Sequence, residues 1–223
     1  RHHRISSPGK ALPLKPFILA ACVGVWGCRL GGFLVHRIFN SPTDSRFDKF
    51  MPKEGELPIK LAGLWMIQAL WGWITMLPVS MCFISPPKNP RIGAAALAGL
   101  AVFSCGFLIE AMADEQKRAF KAIPSNKELW CDQGLWNYSR HPNYFGEIMV
   151  WWGMFAASTG TAPAWTMASP LFVTYLLTRV SGIPLIEKKY DQKYATNDAY
   201  QKYKRETSVL IPMPKLKTEG KEL

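Results

Sequence analysis

The chain of 223 residues is long enough for one domain or two small ones and too short for a multidomain machine. Its averages, 48% hydrophobic, 19% charged and a mean hydropathy of −0.01, are those of an ordinary soluble domain, but they hide apolar residues gathered into blocks. A net charge of +11 invites a nucleic-acid partner, which the placement of that charge argues against.

The opening Arg1-His2-His3-Arg4-Ile5-Ser6-Ser7 is basic and free of acids, as a transit-peptide remnant is, and residues 1–16 read as a basic N-terminal segment. Apolar blocks follow at 17–36, 61–84, 92–109, 148–165 and 167–186, and the middle three carry no charge. Each has the length of a spanning helix, about 17–25 residues, and three uncharged runs do not fit one small soluble core. The short alternating strands of a membrane β-barrel are absent. The expected fold is therefore all-α: a multi-pass transmembrane helical bundle of about five spans. It comprises a membrane-embedded domain over 17–212 and a charged tail over 213–223.

Lys and Arg gather on the face that receives residues 37–60, 113–142 and the tail after Ile186. By the positive-inside rule that face, with the C-terminal tail, is cytosolic, matrix or stromal, in the endoplasmic reticulum or in a mitochondrial or plastid membrane. Anionic headgroups attract such segments, so membrane lipids and a hydrophobic small-molecule substrate are the expected partners, and nucleic acid is not. The five Cys are odd in number, lie mostly inside the blocks and form no C-x-x-C pair, which predicts neither a disulfide framework nor a zinc site. Arg29 and Arg179 fall within spans and need counter-charges, for which Glu110, Asp114 and Glu147 are the candidates.

The chemistry is written between Glu110 and Glu147. Glu110, Asp114, Lys117 and Lys121 recur at helical spacing, as an extension of the third span with acids near the membrane and bases further out. For the two lysines a solvated helix end with i,i+4 pairs explains the pattern as well as a functional role does. Glu110 directly follows an apolar run, where ionisable groups are paired or functional. The stretch closes with Gly134-Leu135-Trp136-Asn137-Tyr138-Ser139-Arg140-His141-Pro142-Asn143-Tyr144-Phe145-Gly146-Glu147. Pro142 suits the first turn of a helix. Arg140 and His141 then stand beside a helix N-terminus, an anion site whose natural ligand is a phosphate or pyrophosphate. Asn143 and Glu147 share one helix face, and Gly146 permits a close approach to the backbone. Trp136, Tyr138 and Tyr144 are either platforms for a ring or an interfacial aromatic belt.

The run just quoted, with Ile109-Glu110-Ala111-Met112-Ala113-Asp114-Glu115-Gln116 and Trp151-Trp152-Gly153, resembles steroid 5α-reductase-like membrane proteins, in particular their poorly characterised branch. The segments 180–187, 200–212, 29–37 and 44–47 extend the resemblance over roughly residues 25–215. It implies a helical fold whose C-terminal half cradles NADPH. Trp136, Arg140, His141, Asn143, Tyr144 and Glu147 fall in the cofactor motif, and Arg179, Glu187 and Tyr203 lie in the last span and tail that close the site. Glu110 and Asp114 join the cofactor-binding set. The implied reaction is reduction of a polarised C=C bond in a steroid, sterol or polyprenyl-type substrate, with Glu147, kept protonated in its low-dielectric span, or Tyr144 as proton donor. The superfamily also holds isoprenylcysteine carboxyl methyltransferases, which use S-adenosylmethionine. Those generally lack counterparts of Asn143 and Glu147, which favours the reductase. An accessory subunit of an organellar membrane complex, built on the same fold, is the remaining alternative.

Overall fold

The computed structural model describes residues 14–40, 58–85 and 92–215, and of Arg37 and Asn40 the backbone alone. The basic start, the 44–47 motif and the tail beyond residue 215 lie outside the described residues. Within them the chain is helical: α1 (Leu14–Asn40), α2 (Ile59–Thr75), α3 (Leu77–Ile84), α4 (Ala94–Ala122), α5 (Pro142–Ser158), α6 (Ala168–Tyr175), α7 (Ile183–Lys193) and α8 (Asp198–Glu206). A π-helical turn, Leu176–Val180, continues α6. Among the described residues there is no strand, only an isolated parallel bridge between Ser139 and Ser208.

Three helical stretches, Leu14–His36, Ala94–Ala122 and Ala164–Lys193, are long and apolar enough to cross a membrane, and α2 with α3 makes a fourth if that pair is one span. The expected count of about five is thus not confirmed among the described residues. The block 61–84 bends by 58° between α2 and α3. The bend falls where the Thr75 hydroxyl donates back to the carbonyls of Trp71 and Gly72 and Pro78 opens the next helix. The block 148–165 does not run through. α5 begins earlier, at Pro142, and stops at Ser158, where the Ser158 and Thr159 hydroxyls donate to Phe155 and Ala156 carbonyls and Gly160 turns the chain at φ +76°. Its 17 residues rise only about 25 Å.

Large apolar side chains stand exposed on α1 and α2, among them Val25, Val35, Trp65, Ile67, Leu70 and Trp73. A surface of that kind exceeds what a soluble monomer exposes and suits lipid, as in an integral membrane protein. The interior is built around Trp26, Phe103, Val150, Trp151 and Met154, with Trp26 edge-on to Trp151 at 5.1 Å. The Lys15 ammonium donates to the Thr159 carbonyl at 2.9 Å, placing the start of α1 beside the turn after α5.

The seam between α4 and α5 positions the site. Gly106 and Gly146 meet across it: a Cβ on Gly146 would lie 2.6 Å from the Glu110 backbone nitrogen, and one on Gly106 would lie 2.7 Å from the Gly146 carbonyl. The close approach that Gly146 permits is thus taken by α4, which brings the Glu110–Asp114 face of α4 against the Asn143–Glu147 face of α5.

Candidate functional site

Two groups of polar side chains flank the start of α5. The outer one begins in the loop before it. Pro142 occupies the first turn with His141 as N-cap residue, as the sequence predicts. The His141 backbone N–H donates to the Ser139 hydroxyl at 3.1 Å, which fixes the chain as it turns into the helix. Glu187 of α7 reaches this corner with both oxygens: Oε2 lies 2.7 Å from Arg140 Nη1, and Oε1 lies 2.8 Å from His141 Nε2. Burial holds the His141 imidazole below its ordinary pKa of 6.5 against the opposing pull of the Glu187 carboxylate. The His141 ring stacks on Tyr144 at 5.6 Å, nearly parallel.

Trp136 is buried below, its indole N–H donating to the Ala113 carbonyl at 2.8 Å, with the Lys117 ammonium 4.4 Å from its ring centre. Lys117 is therefore a cation over an aromatic face, and Lys121 donates to the carbonyls of Lys127 and Leu129. The Tyr203 hydroxyl of α8 donates to the Trp136 carbonyl at 2.7 Å. Beyond α8 the chain straps across the motif: Arg140 N–H donates to the Ser208 carbonyl at 2.8 Å and Met213 N–H to the Tyr138 carbonyl at 3.0 Å. Lys117, Trp130, Trp136, Arg140, His141, Glu187, Tyr190, Tyr200 and Tyr203 line a narrow cleft whose free volume, about 10 Å³, is that of about one water, so a larger ligand enters only where its walls part. Three donors in its walls, Arg140 Nε, Trp130 Nε1 and the Tyr200 hydroxyl, are buried and lack a hydrogen-bond partner.

The inner group lies across the α4–α5 seam. Arg29 of α1 binds Glu110 with one guanidinium nitrogen and Asp114 with the other. The Trp26 indole adds a hydrogen bond to the second Glu110 oxygen at 3.0 Å. The Asn143 side chain lies beside the Asp114 carboxylate. Glu147, partly buried, makes no hydrogen bond or ion pair among the described residues, so of the three candidates only Glu110 and Asp114 serve as counter-charges to Arg29. Tyr144 joins the two groups, its ring on His141 and its hydroxyl within electrostatic range of Glu147 and Asp114.

Arg179 differs from its expected burial. It sits on the π turn, exposed, and makes no ion pair among the described residues. The buried positions of α6 are Ser169, Pro170 and Val173, and Arg179, six residues after Val173, falls off that face. Several site residues were not singled out from the sequence. Trp26 has a signal, standing one helical turn before Arg29. Trp130 and the tyrosines Tyr190, Tyr194 and Tyr200 form an aromatic cluster with Tyr203, whose signal is the helical spacing of Tyr190 with Tyr194 and of Tyr200 with Tyr203.

The chain belongs to the family described as "Protein of unknown function (DUF1295)", whose pattern matches residues 4–207. No curated protein and no solved structure matches the chain.

Proposed function

We propose that this chain is a membrane-bound NADPH-dependent reductase acting on a polarised C=C bond of a lipid-soluble substrate, steroid, sterol or polyprenyl in type. The observation that carries the reading is the set of three orphaned donors, Arg140 Nε, Trp130 Nε1 and the Tyr200 hydroxyl, in one cleft at the start of α5. Each buried donor without an acceptor costs about 1–3 kcal/mol, and a ligand rich in anionic oxygens relieves all three at once. Phosphates have that chemistry, and a helix N-terminus flanked by Arg140, His141 and Lys117 suits them. The resemblance of the motif to steroid 5α-reductase-like proteins, to which this family is related, supports the choice of nucleotide.

Bound there, NADPH supplies the hydride of the reduction. Arg140, His141 and Lys117 would hold its phosphates, and Trp136 and Tyr203 shape the cleft floor. Glu187, whose carboxylate engages Arg140 and His141, gives way to or shares those cations with the ligand. Arg179, exposed at the end of α6, is a further cation open to it. The inner group serves the proton. Glu110 and Asp114 are committed to Arg29, with Asn143 beside Asp114. Glu147 is the carboxyl left over, and it delivers the proton to the substrate carbon, with Tyr144 as the competing donor.

The test is binding of NADPH to the detergent-solubilised protein, with S-adenosylmethionine in parallel and Arg140→Ala as control, followed by NADPH oxidation with lipid enones. Specific NADPH binding lost in Arg140→Ala is the expected result. Selective binding of S-adenosylmethionine, or of neither ligand, overturns the proposal, the first in favour of a methyltransferase and the second in favour of an accessory subunit.

A further inference from the structure

The outer faces of α7 and α8 are not used by the cleft. On α7 the buried side carries Ile183, Glu187, Tyr190 and Asp191, while Leu185, Lys188, Lys189 and Gln192 point outward. On α8 Tyr200 and Tyr203 turn inward, and Asp198, Lys202 and Arg205 turn outward. Lys188, Lys189, Lys202 and Arg205 make no ion pair among the described residues. This contrasts with Lys193, paired to Glu128, and Lys204, paired to Asp191.

Apolar side chains adjoin these cations. Leu185 is 59% exposed, and along the strap Val209, Ile211 and Met213 are 42%, 56% and 51% exposed. The strap has a fixed position: its hydrogen bonds to Tyr138 and Arg140 tie it to the residues immediately before α5. Leu185 stands likewise in the first turn after the apolar α6 and its π turn. The apolar side chains thus stand beside the start of α5 and the end of the π turn, and the unpaired cations lie within one or two helical turns of them along the chain.

We propose that this surface, the outer faces of α7 and α8 with the strap at 207–213, docks on anionic phospholipid headgroups. Apolar side chains at the boundary enter the acyl region while Lys188, Lys189, Lys202 and Arg205 meet the headgroup phosphates and carboxylates. An acidic soluble protein would satisfy the cations, but it leaves Val209, Ile211 and Met213 without a reason to be apolar. Because the opposite sides of the same helices place Tyr190, Tyr200 and Tyr203 in the cleft wall, lipid docking also holds the cover of the cleft in place.

The experiment uses the full chain in nanodiscs of phosphatidylcholine alone and of phosphatidylcholine with phosphatidylserine. Hydrogen exchange is read at the strap amides of Arg140 and Met213, and retained lipids are counted by native mass spectrometry. Phosphatidylserine is expected to slow exchange at both amides at least fivefold, to be retained in preference to phosphatidylcholine, and to lose both effects at high salt. The variant Lys188→Glu/Lys189→Glu/Lys202→Glu/Arg205→Glu is expected to abolish the preference, and the four corresponding changes to Gln to weaken it, which separates charge from misfolding. Equal retention of the two lipids, exchange indifferent to phosphatidylserine, or an unchanged preference in both variants overturns the proposal. So does capture of an acidic protein by the chain with no lipid preference.

Discussion

Removing Arg29 tests the reading of the inner group most directly. One guanidinium holds two carboxylates on neighbouring turns of α4, and the side chains are 18%, 5% and 12% exposed for Arg29, Glu110 and Asp114. Arg29→Met keeps the length and apolar stem of the side chain and removes the charge. Breaking a buried pair costs about 3–5 kcal/mol because the partner charge stays behind. The partial exposure of Arg29, and the Trp26 hydrogen bond that Glu110 retains, place the expected loss near the lower end, about 3 kcal/mol. For a chain of this length each kcal/mol is worth roughly 2–4 °C, so Tm of the detergent-solubilised protein should fall by roughly 6–12 °C. The triple variant Arg29→Met/Glu110→Gln/Asp114→Asn removes the stranded charges with their partner and should recover most of that loss. An Arg29→Met protein that melts within about 2 °C of the parent, or a triple variant no better than the single one, would refute the argument that a buried ion triad ties α1 to α4.

The other expectations concern the seam, the cleft and the proton. Gly146→Ala sets a Cβ 2.6 Å from the Glu110 backbone nitrogen, which cannot step aside, and should destabilise by about 1–3 kcal/mol or more, whereas Gly24→Ala on α1, with nothing within 4 Å, should leave Tm unchanged. Equal melting of the two variants would contradict the close seam. Tyr203→Phe loses the hydrogen bond to the Trp136 carbonyl and should cost about 1 kcal/mol in the same assay. His141 has a folded-state pKa below the 6.5 of the unfolded chain, so the unfolded chain binds the proton first as pH falls. Stability from this group is complete above about pH 6.5 and declines below it, towards the folded value. The Tm of the parent should therefore drop more steeply than that of His141→Gln between pH 7 and pH 5, and parallel curves would count against a buried neutral imidazole. Glu147→Gln should retain NADPH binding and lose enone turnover, while Arg140→Ala should lose binding itself. Titration calorimetry with a turnover assay separates the two.

The membrane character and the site's location were legible in the sequence for different reasons. Uninterrupted apolar runs report lipid exposure directly, so α1, α4 and the stretch through α6 could be read from composition. Helix ends are decided by local hydrogen bonds that composition averages away. Ser158 and Thr159 bonding back to α5, and Thr75 bonding back to α2, are single-residue events, and they turned the expected spans at 148–165 and 61–84 into a short helix and a bent pair. The motif before α5 was legible because Pro142 and the polar residues around it have fixed preferences at helix starts. Its partners were legible only as candidates. Glu187 lies 46 residues from His141 and Arg29 lies 81 from Glu110. No periodicity links such positions, so the sequence named the charged groups needing partners and left the pairing to tertiary packing. Arg179 differs: its place within an apolar block suggested burial, but its register, six residues after the buried Val173, puts it on the exposed side.

The inner and outer groups form one arrangement along α5. His141 caps the helix and Glu147 lies six residues further, a rise of about 9 Å. The cations are therefore at the outer end of a short path and the uncommitted carboxyl at the inner end, with Tyr144 between them. A ligand with phosphates at one end and a reactive ring at the other matches that polarity, whereas a compact anion would use the outer group alone. Holding the inner end requires α1, because without Arg29 and Trp26 the α4 carboxylates facing Asn143 and Glu147 would be unbalanced. The N-terminal helix is thus a structural part of the site even though, among the described residues, those lining the cleft come from Lys117 onward.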